Sequence, residues 1–267
     1  MKYKNLLLPC VILLIFSGCS TRKRELRNQS KLVQEGKLWS ALWQQRAAEY
    51  KALCFQAYNV AQLRLNESLK SKGSRPLAVI TDIDETVLDN SPNAVSQALK
   101  DKDFEQQAWY EWTGKASCDT VPGAPAFFKY AESKGVEVFY ITNRDQKEQE
   151  ATLQNLKRYN LPFADEKHLL LRQSASAKEP RRQQVLKTYD VVLLIGDNLS
   201  DFSSAFDKLY EDERMKVTQQ QASSFGGRFI VVPNATYGDW EGSLFRYNYQ
   251  LSRGEKERII KNLLRKE

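Results

Sequence analysis

The sequence predicts an α/β protein with a doubly wound parallel sheet and a small, mainly helical cap. Four apolar runs, at residues 77–80, 136–141, 191–195 and 229–232, have the length and composition of strands buried on both faces. The segments between them have helical character, and this alternation is typical of parallel sheets. The first three runs end in polar clusters. Parallel strands bring their carboxyl ends to one sheet edge, so we expect these clusters to meet.

Length and composition support a globular protein. The 267 residues suffice for one large domain, or for a core domain with a cap. Hydrophobic residues make up 42% of the chain, which is ordinary for a folded protein. The formal net charge is +7, but the basic residues are scattered, apart from clusters at residues 22–24 and near the C-terminus. Without a basic stripe interleaved with aromatic residues, we expect no nucleic-acid partner.

Residues 1–19 resemble a bacterial lipoprotein signal peptide that is cleaved before Cys19. Their apolar run, residues 6–16, is too short to span a membrane comfortably. It ends in Phe-Ser-Gly-Cys, which is similar to a lipobox, although Phe16 replaces the usual Leu. The alternative is an ordinary cleaved signal peptide with an incidental cysteine. Both interpretations predict export.

In the lipobox interpretation, acyl chains on Cys19 anchor the protein to a membrane without spanning it. Ser20 resembles the residue preferred at this position in lipoproteins of the outer membrane. We therefore expect a lipid-anchored (palmitate-bearing) protein of the cell envelope, in the outer membrane where the organism has one.

The cysteines and the single histidine give no metal or phosphohistidine motif. An oxidising compartment would permit a disulfide between Cys54 and Cys118, but we expect two buried free thiols. Their wide spacing does not match a zinc site. The neighbours of His168 match no motif for phosphoryl transfer through histidine, and we expect a structural role for it.

The N-terminal half is predicted to contribute most of the cap. A polar linker, residues 20–36, precedes a helix predicted for residues 39–69, where apolar residues recur at helical intervals without an interrupting Pro. The cap is expected from about residues 37–70 and 89–121, within a domain covering residues 37–267.

The segment of residues 89–121 contains no convincing strand but carries two tryptophans. Trp109 and Trp112 are three residues apart, and therefore neighbours on one helical face. Core packing is the usual role of tryptophan, whereas a functional role would be an aromatic wall over a flat ligand. The sequence leaves both interpretations open.

The later elements alternate in order along the chain. Pro180 suits the first turn of a helix, and Gly135 suits the position after a helix end. The predicted helices cover residues 126–133, 148–159, 174–189 and the stretch from 253 onward, with a short strand at 168–171.

The first apolar run ends in Asp82-Ile83-Asp84-Glu85-Thr86. Side chains alternate along an extended chain, so Asp82 and Asp84 lie on the same side of the backbone. Two carboxylates so close repel each other unless a cation or a proton intervenes. Hard oxygen ligands favour Mg²⁺ over Zn²⁺. Taken alone, the motif could also be a surface turn rich in Asp and Thr.

Two further clusters belong to the same predicted edge. The second run ends in Thr142-Asn143-Arg144, and the third ends in Gly196-Asp197-Asn198-Leu199-Ser200-Asp201. Lys178, between these runs, could supply a positive charge. Carboxylates, a metal ion, a hydroxyl and a lysine together suit phosphoryl transfer, because cations neutralise the transferred group while a positioned nucleophile attacks.

These motifs resemble those of the haloacid dehalogenase superfamily, and more narrowly those of the class C bacterial acid phosphatases, the DDDD-type lipoprotein 5′-nucleotidases. The resemblance extends to the lipobox, the tryptophan pair, Val121-Pro122-Gly123 and residues 233–242. It implies a haloacid dehalogenase-like fold, Mg²⁺ as cofactor, and hydrolysis of 5′-nucleotides and similar small phosphomonoesters. It also implies a homodimer.

The resemblance assigns chemical roles to the acids. Asp82 would attack phosphorus and form an aspartyl-phosphate. Asp84 would protonate the leaving oxygen and then take a proton from water, so it must be protonated when substrate binds, as an acidic pH favours. The ligands of Mg²⁺ would be Asp82, the Asp84 carbonyl and Asp197, and Asp201 would ligate the ion directly or orient its waters.

The remaining roles concern the substrate. The resemblance implies that Thr142 and Lys178 hold the phosphoryl oxygens, and that Trp109 and Tyr237 stack on the nucleobase. Asp201 could instead cap the following helix, and Arg144 and Arg181 could be either phosphate contacts or surface ion pairs. A non-catalytic binding lipoprotein and a phosphotransferase are the alternative functions.

Overall fold

The computed structural model describes residues 31–71 and 73–266. Its centre is a parallel sheet of five strands with the spatial order β5-β4-β1-β6-β7. These strands are β1 (Leu77–Thr81), β4 (Glu137–Ile141), β5 (Leu169–Leu170), β6 (Asp190–Gly196) and β7 (Phe229–Val231). A separate antiparallel pair, β2 (Leu88–Asp89) and β3 (Asp119–Thr120), aligns Leu88 with Thr120.

Helices surround the sheet and form the cap. Within the described residues they are α1 (Leu32–Arg46), α2 (Ala48–Lys70), α3 (Ser91–Leu99), α4 (Gln106–Thr113), α5 (Ala124–Ser133), α6 (Gln149–Arg158), α7 (Glu179–Leu186), α8 (Glu211–Gln220), α9 (Asp239–Leu244) and α10 (Arg253–Leu263).

Both faces of the sheet are buried, as the apolar runs predict. Every residue of β1 is buried, and consecutive side chains point to opposite faces. Val79 packs in a core with residues of α2 and α5, whereas Ile80 packs in a second core with Val185 of α7 and Phe202. Helices on both sides of a parallel sheet confirm the predicted doubly wound architecture.

The order of the strands determines where a site can form. The chain passes from β1 to β4 and β5 on one side, and then returns to β6 and β7 on the other side. The register places Thr81 of β1 beside Tyr140 of β4 and Ile195 of β6. The strand order therefore reverses at β1, and ligands bind at the carboxyl ends of strands beside such a reversal.

The single long helix predicted for residues 39–69 was wrong, because the chain forms two helices. Ala47 has an extended backbone with ψ near 130° and separates α1 from α2. No Pro or Gly marks the break in the sequence. The two helices bury different faces: α1 packs on α3, whereas α2 packs on α5 and the sheet. Tertiary packing overrides the continuous helical periodicity here.

This break also changes the predicted extent of the cap. The prediction placed residues 37–70 in the cap, but Cys54, Tyr58 and Leu65 of α2 belong to the core beneath the sheet. The cap wall next to the site consists of α1, α3 and α4. Salt bridges attach α10 to the loop between α3 and α4, from Arg253 to Asp101 and from Lys256 to Asp103.

Several element boundaries differ from the predictions. The segment for which no strand was predicted contains β2 and β3, which are too short to produce an alternating pattern. Helix α1 begins at Leu32, within the stretch of residues 20–36 that was predicted to be a linker. Helix α7 begins at Glu179 instead of residue 174, with Pro180 in its first turn. The preceding loop carries Lys178 to the sheet edge.

The cysteines and the histidine are buried structural residues. Cys54 and Cys118 are free thiols, as predicted. His168 packs between Phe139 and Phe163. Its Nδ1 atom is 2.7 Å from an Asp165 oxygen, and its Nε2 atom is 2.8 Å from Glu137 Oε2, which confirms a structural role.

The proposed signal peptide, with Cys19 and Ser20, lies outside the described residues. Among the helices that the structure describes, none has the length and hydropathy required to cross a membrane.

The Glu137 carboxylate predicts a change of stability at acidic pH. Burial acts to raise its pKa, but hydrogen bonds from His168, Tyr189 and Lys167 lower the pKa to about 2. A group with a lowered folded-state pKa stabilises the fold above its unfolded value of about 4.5, and this contribution is lost as the pH falls towards 2. Glu137→Gln should therefore cost about 1–2 kcal/mol at pH 6 and much less at pH 3.

Thermal unfolding of both proteins at pH 6 and pH 3 measures this difference. Glu166→Gln is the matched control, because Glu166 is exposed and forms no ion pair among the described residues. A Tm difference for Glu137→Gln that is as large at pH 3 as at pH 6 would contradict the prediction.

Candidate active site

The carboxyl ends of β1 and β6 bring three acids together. Asp82 follows β1 directly, and its backbone N–H donates to Ile195 O at 2.9 Å, which extends the pairing of β1 with β6. Asp197 follows β6, and Asp201 ends a short 3₁₀ helix after it. One carboxylate oxygen from each of these acids lies within 4.8 Å of the other two. The sequence prediction that they share one edge is confirmed.

Lys178 is the cation of this cluster. Its ammonium group donates to Asp82 Oδ1 and lies 2.7 Å from Asp201 Oδ1, and all three side chains are buried. Burial acts to lower the pKa of Lys178, but the charges of Asp201 and Asp82 raise it above its ordinary value. Lys178 therefore stays charged and offsets part of the repulsion between the acids.

One ammonium group does not balance three acids. Burial raises the pKa of Asp82, and Asp201 and Asp84 raise it further, against the lowering effect of Lys178. Burial also raises the pKa of Asp197, with additional repulsion from Asp201 and Asp82. A divalent cation would relieve this repulsion, and an all-oxygen donor set suits a hard cation. The cluster could therefore bind a metal ion.

Neighbouring side chains fix the orientation of Asp197. Thr86 Oγ1 donates to Asp197 Oδ1 at 3.1 Å, and Asn234 Nδ2 donates to Asp197 Oδ2 at 2.8 Å. Thr86 comes from the loop after β1 and Asn234 from the loop after β7. Sequence reasoning did not assign a role to either, although both lie within stretches that it singled out.

Asp201 does not cap a following helix, which was the alternative role for it. Its Oδ2 atom accepts a hydrogen bond from the backbone N–H of Asn198 at 3.0 Å, three residues earlier. The side chain thus closes the turn that leaves β6. The same turn requires glycine at position 196, because a Cβ atom there would lie 2.4 Å from Asp201 Oδ2.

Asp84 is held by an arginine that the sequence left unassigned. Arg144 Nε and Nη2 both donate to Asp84 Oδ1, at 3.1 and 2.8 Å. Arg144 is only 2% exposed, and its Nη1 atom donates to Thr152 Oγ1 at 3.1 Å. The forked guanidinium therefore fixes the position of the carboxylate. Arg144 is not a surface ion pair, because it lies in the interior.

The structure places Thr142 beside Asp84. The Thr142 hydroxyl donates to Asp84 Oδ2 at 3.4 Å and accepts from the Arg144 backbone N–H at 3.1 Å. Arg181 is also buried, and its guanidinium donates to Thr142 O and, at 2.8 Å, to Asn143 Oδ1. Arg181 thus supports the loop after β4 and is not a surface ion pair.

A second network behind Asp84 was not predicted. Glu85 is buried and has a φ of 59°, in the left-handed region that is uncommon for residues other than glycine. Burial raises the pKa of Glu85 to about 8, and the charge of Asp84 adds to this rise. The Tyr237 hydroxyl donates to Glu85, which fixes the tyrosine on the loop after β7.

Asn90 joins this network to the cap. Its Nδ2 atom donates to Asp84 Oδ1 at 2.9 Å and to Glu85 Oε2 at 3.2 Å. Its Oδ1 atom accepts from Trp112 Nε1 at 2.8 Å. The only indication in the sequence was the position of Asn90 shortly after the acidic motif.

The acids line a cavity of about 360 Å³. Trp109 and Tyr237 line it, and the Arg144 guanidinium lies 5.9 Å from the centre of the Trp109 ring. Trp112 packs against the core instead. Trp109 therefore fits the interpretation as an aromatic wall, and Trp112 fits the interpretation as a core residue. Asp82, Asp84, Lys178, Asp197 and Asp201 line the same cavity, whereas Thr142 is fully buried beside Asp84.

Comparisons with known proteins agree with this geometry. Residues 18–240 match the family model of the HAD superfamily, subfamily IIIB (acid phosphatase). A class C acid phosphatase from Bacillus anthracis is 41% identical, with a TM-score of 0.84 over 88% of this chain and 99% of the other. The structure of that phosphatase with tungstate bound gives 40% identity and the same TM-score and coverage.

A more distant relative is the stem 31 kDa glycoprotein of Glycine max. It is 26% identical over 128 residues, which are 46% of this chain. The matched stretch spans half the length of this curated relative.

The contact between Gly196 and Asp201 yields a prediction. In Gly196→Ala the added methyl group must displace the Asp201 carboxylate, which Lys178 and the Asn198 N–H hold in place. We expect overpacking to cost about 1–3 kcal/mol of stability and the turnover number to fall at least tenfold. Thermal unfolding and phosphate release from a small phosphomonoester measure the two effects.

Gly36→Ala is the matched control. Gly36 lies in α1, is exposed, and has no atom within 4 Å of the position of a Cβ. Alanine should stabilise the helix there by about 0.5–1 kcal/mol without changing turnover. Equal turnover in Gly196→Ala and Gly36→Ala would show that the Asp201 position is not critical.

Proposed function

Because this chain belongs to the acid phosphatases of subfamily IIIB of the HAD superfamily, we propose that it hydrolyses 5′-nucleotides and similar small phosphomonoesters through an aspartyl-phosphate. The observation that carries this proposal is the position of Asp82. Its carboxylate lines the cavity and accepts a hydrogen bond from Lys178, and Asp84 is two residues away. A nucleophile beside an acid and a buried cation has no use in a protein that only binds a ligand.

In the first proposed step, an oxygen of Asp82 forms a bond to phosphorus while the bond from phosphorus to the ester oxygen breaks. Asp84 gives its proton to the departing oxygen. Lys178 lowers the electrostatic cost of bringing the anionic substrate to the Asp82 carboxylate. Arg144 holds Asp84 through two hydrogen bonds, so the acid is already oriented before the substrate arrives.

In the second proposed step, a water molecule attacks phosphorus, and Asp84 takes the proton of this water. The bond between phosphorus and Asp82 breaks, which restores the carboxylate and releases phosphate. One residue thus serves first as acid and then as base. Thr142 donates to Asp84 in the structure, and we propose that its hydroxyl turns to the phosphoryl oxygens when substrate binds.

We propose Mg²⁺ as the metal. The residues that would hold it are Asp82, Asp197, Asp201 and the Asp84 backbone carbonyl, and the acid cluster supports this assignment through its crowded, all-oxygen donor set. When bound, the ion supplies positive charge that offsets the charge on the phosphoryl group. Thr86 and Asn234 orient Asp197 for this task.

The nucleotide preference rests on the aromatic wall of the cavity. Trp109 and Tyr237 both line it, at positions that resemble the base-stacking residues of the class C enzymes. Stacking accepts any nucleobase, because each base has a π-face. One crystal structure of the Bacillus anthracis phosphatase contains bound tungstate, a tetrahedral oxyanion of the same kind as phosphate, which supports an oxyanion site in this fold.

We also propose that the protein is exported and anchored in the cell envelope, in the outer membrane where one exists. The support is the lipobox-like sequence that ends at Cys19 and Ser20. A phosphorylated substrate does not cross membranes readily, so an external phosphatase would release a nucleoside that can be imported. The homodimer remains a prediction from the family resemblance.

Replacing the nucleophile tests the proposed reaction. With residues 20–267, AMP at about pH 5 to 6 should release phosphate in the presence of Mg²⁺, and both EDTA and Asp82→Asn should abolish it. Asp190→Asn is the control, because Asp190 is exposed at the opposite end of the sheet, where β6 begins. Turnover that survives in Asp82→Asn would refute the aspartyl-phosphate mechanism.

The same assay separates the alternative functions. Absence of turnover on AMP and on a generic aryl phosphate would favour a binding lipoprotein. Faster loss of substrate than appearance of phosphate, when an alcohol is added, would indicate a phosphotransferase.

Replacing the proposed acylation site tests the anchor. In a bacterial host, Cys19→Ala should move the full-length protein from the membrane fraction to the soluble or periplasmic fraction, because two acyl chains are needed for stable attachment. Cys10→Ala, within the apolar run, is the control and should leave the protein in the membrane fraction. Membrane association that persists in Cys19→Ala would contradict lipidation at this residue.

A further inference from the structure

One face of helix α3 forms a wall of the cavity. Its residues Asn93, Ala94 and Gln97, together with the preceding Asn90, line the cavity. Their spacing of three, four and seven residues is that of a single helical face. Asn90 contacts the Asp84 carboxylate, so this face begins at the acids and leads away from them.

The length of this wall matches the leaving group of a nucleotide. An α-helix rises about 1.5 Å per residue, so Gln97 lies about 10 Å along the axis from Asn90. A phosphate held at Asp82 and a nucleobase near Gln97 would be separated by about this distance. A small ester, such as a sugar phosphate, would leave the distant end of the cavity without contacts.

Gln97 has an unsatisfied hydrogen-bonding atom. The residue is 8% exposed, and its Oε1 atom is buried without a hydrogen-bond partner. A buried carbonyl oxygen without a donor is unfavourable, and such groups in folded proteins call for an explanation. The last torsion of a glutamine side chain is soft, so a small rotation presents the amide to the cavity.

The surroundings of Gln97 favour ligands that donate hydrogen bonds. The Lys102 backbone N–H donates to Gln97 O at 2.9 Å, and the next residue, Asp103, also lines the cavity. Burial acts to raise the pKa of Asp103, but Lys256 lowers it, so the group is a carboxylate. Gln34 donates to Asp103 Oδ1 at 3.3 Å, and its own Oε1 atom is also buried without a partner. Lys37 and Lys102 also line the cavity, and they are paired with Glu241 and Glu105.

We propose that Gln97 determines substrate specificity by accepting a hydrogen bond from an amino group of the nucleobase. The inference rests on the proposed nucleotidase function and adds to it a preferred class of leaving group, the nucleosides whose base carries an exocyclic amine. Stacking alone would not distinguish such bases, whereas an unpaired acceptor at the distant end of the cavity does.

A pair of substrates that differ in one amino group tests the proposal. AMP and purine riboside 5′-monophosphate have the same size and stacking surface, but only AMP carries the amine. We expect kcat/KM of the wild-type protein to be about tenfold higher for AMP, and this ratio to fall close to one in Gln97→Leu. Gln107→Leu is the control, because Gln107 is exposed on α4 and is not among the residues lining the cavity; it should keep the ratio.

A wild-type ratio close to one overturns the proposal, whether or not the Gln97 variant folds. A ratio that stays high in Gln97→Leu, together with a higher Tm, also overturns it, since it would identify the amide as a structural defect relieved by leucine. Ribose 5-phosphate, which has no base, tests the proposed function separately. Suppose that the wild-type protein hydrolyses ribose 5-phosphate, but that its kcat/KM values for AMP and purine riboside 5′-monophosphate are equal. The phosphatase function then holds and the specificity proposal fails.

Discussion

The site depends on the balance of charge around Lys178. The single buried ammonium group of Lys178 donates a hydrogen bond to Asp82 and forms an ion pair with Asp201. The third acid, Asp197, has no such cation among the described residues. Removing a buried cation from its acids would leave uncompensated negative charge in the interior. The loop before α7, the glycine at position 196 and the Asn198 turn all serve to maintain this arrangement. The negative charge of the three acids still exceeds the positive charge of Lys178, and a metal ion can balance the excess.

The sequence predicted the elements that have the strongest local patterns. Buried strands appear as apolar runs, and the acids that follow β1 and β6 meet because parallel strands share an edge. The break at Ala47 could not be predicted, because it results from two helix faces packing on different partners. The two-residue strands β2 and β3 are too short to give a periodic pattern. The predicted ends of helices and strands were wrong where tertiary contacts determine them.

In the site, too, some residues could be predicted from local patterns, whereas others depend on tertiary contacts. Asp82 and Asp197 could be identified because acids directly after buried strands suggest chemistry, and Lys178 could be identified because a lysine between the strands can supply positive charge to them. Arg144 and Glu85 were visible in the motifs, but their roles depend on partners 60 and 152 residues away, which no local pattern reveals. The role proposed for Gln97 could not be inferred from the sequence, since an unpaired oxygen is a property of the packed structure.

The salt bridges of α10 have a consequence for biosynthesis. Asp101 and Asp103 are held by Arg253 and Lys256, which are 152 and 153 residues later in the chain. Ribosomes make the strands and the acids first, whereas the helix that braces this cavity wall emerges much later. A chain that ends before α10 would thus contain the sheet and its acids, but it would lack both cations that hold the loop between α3 and α4.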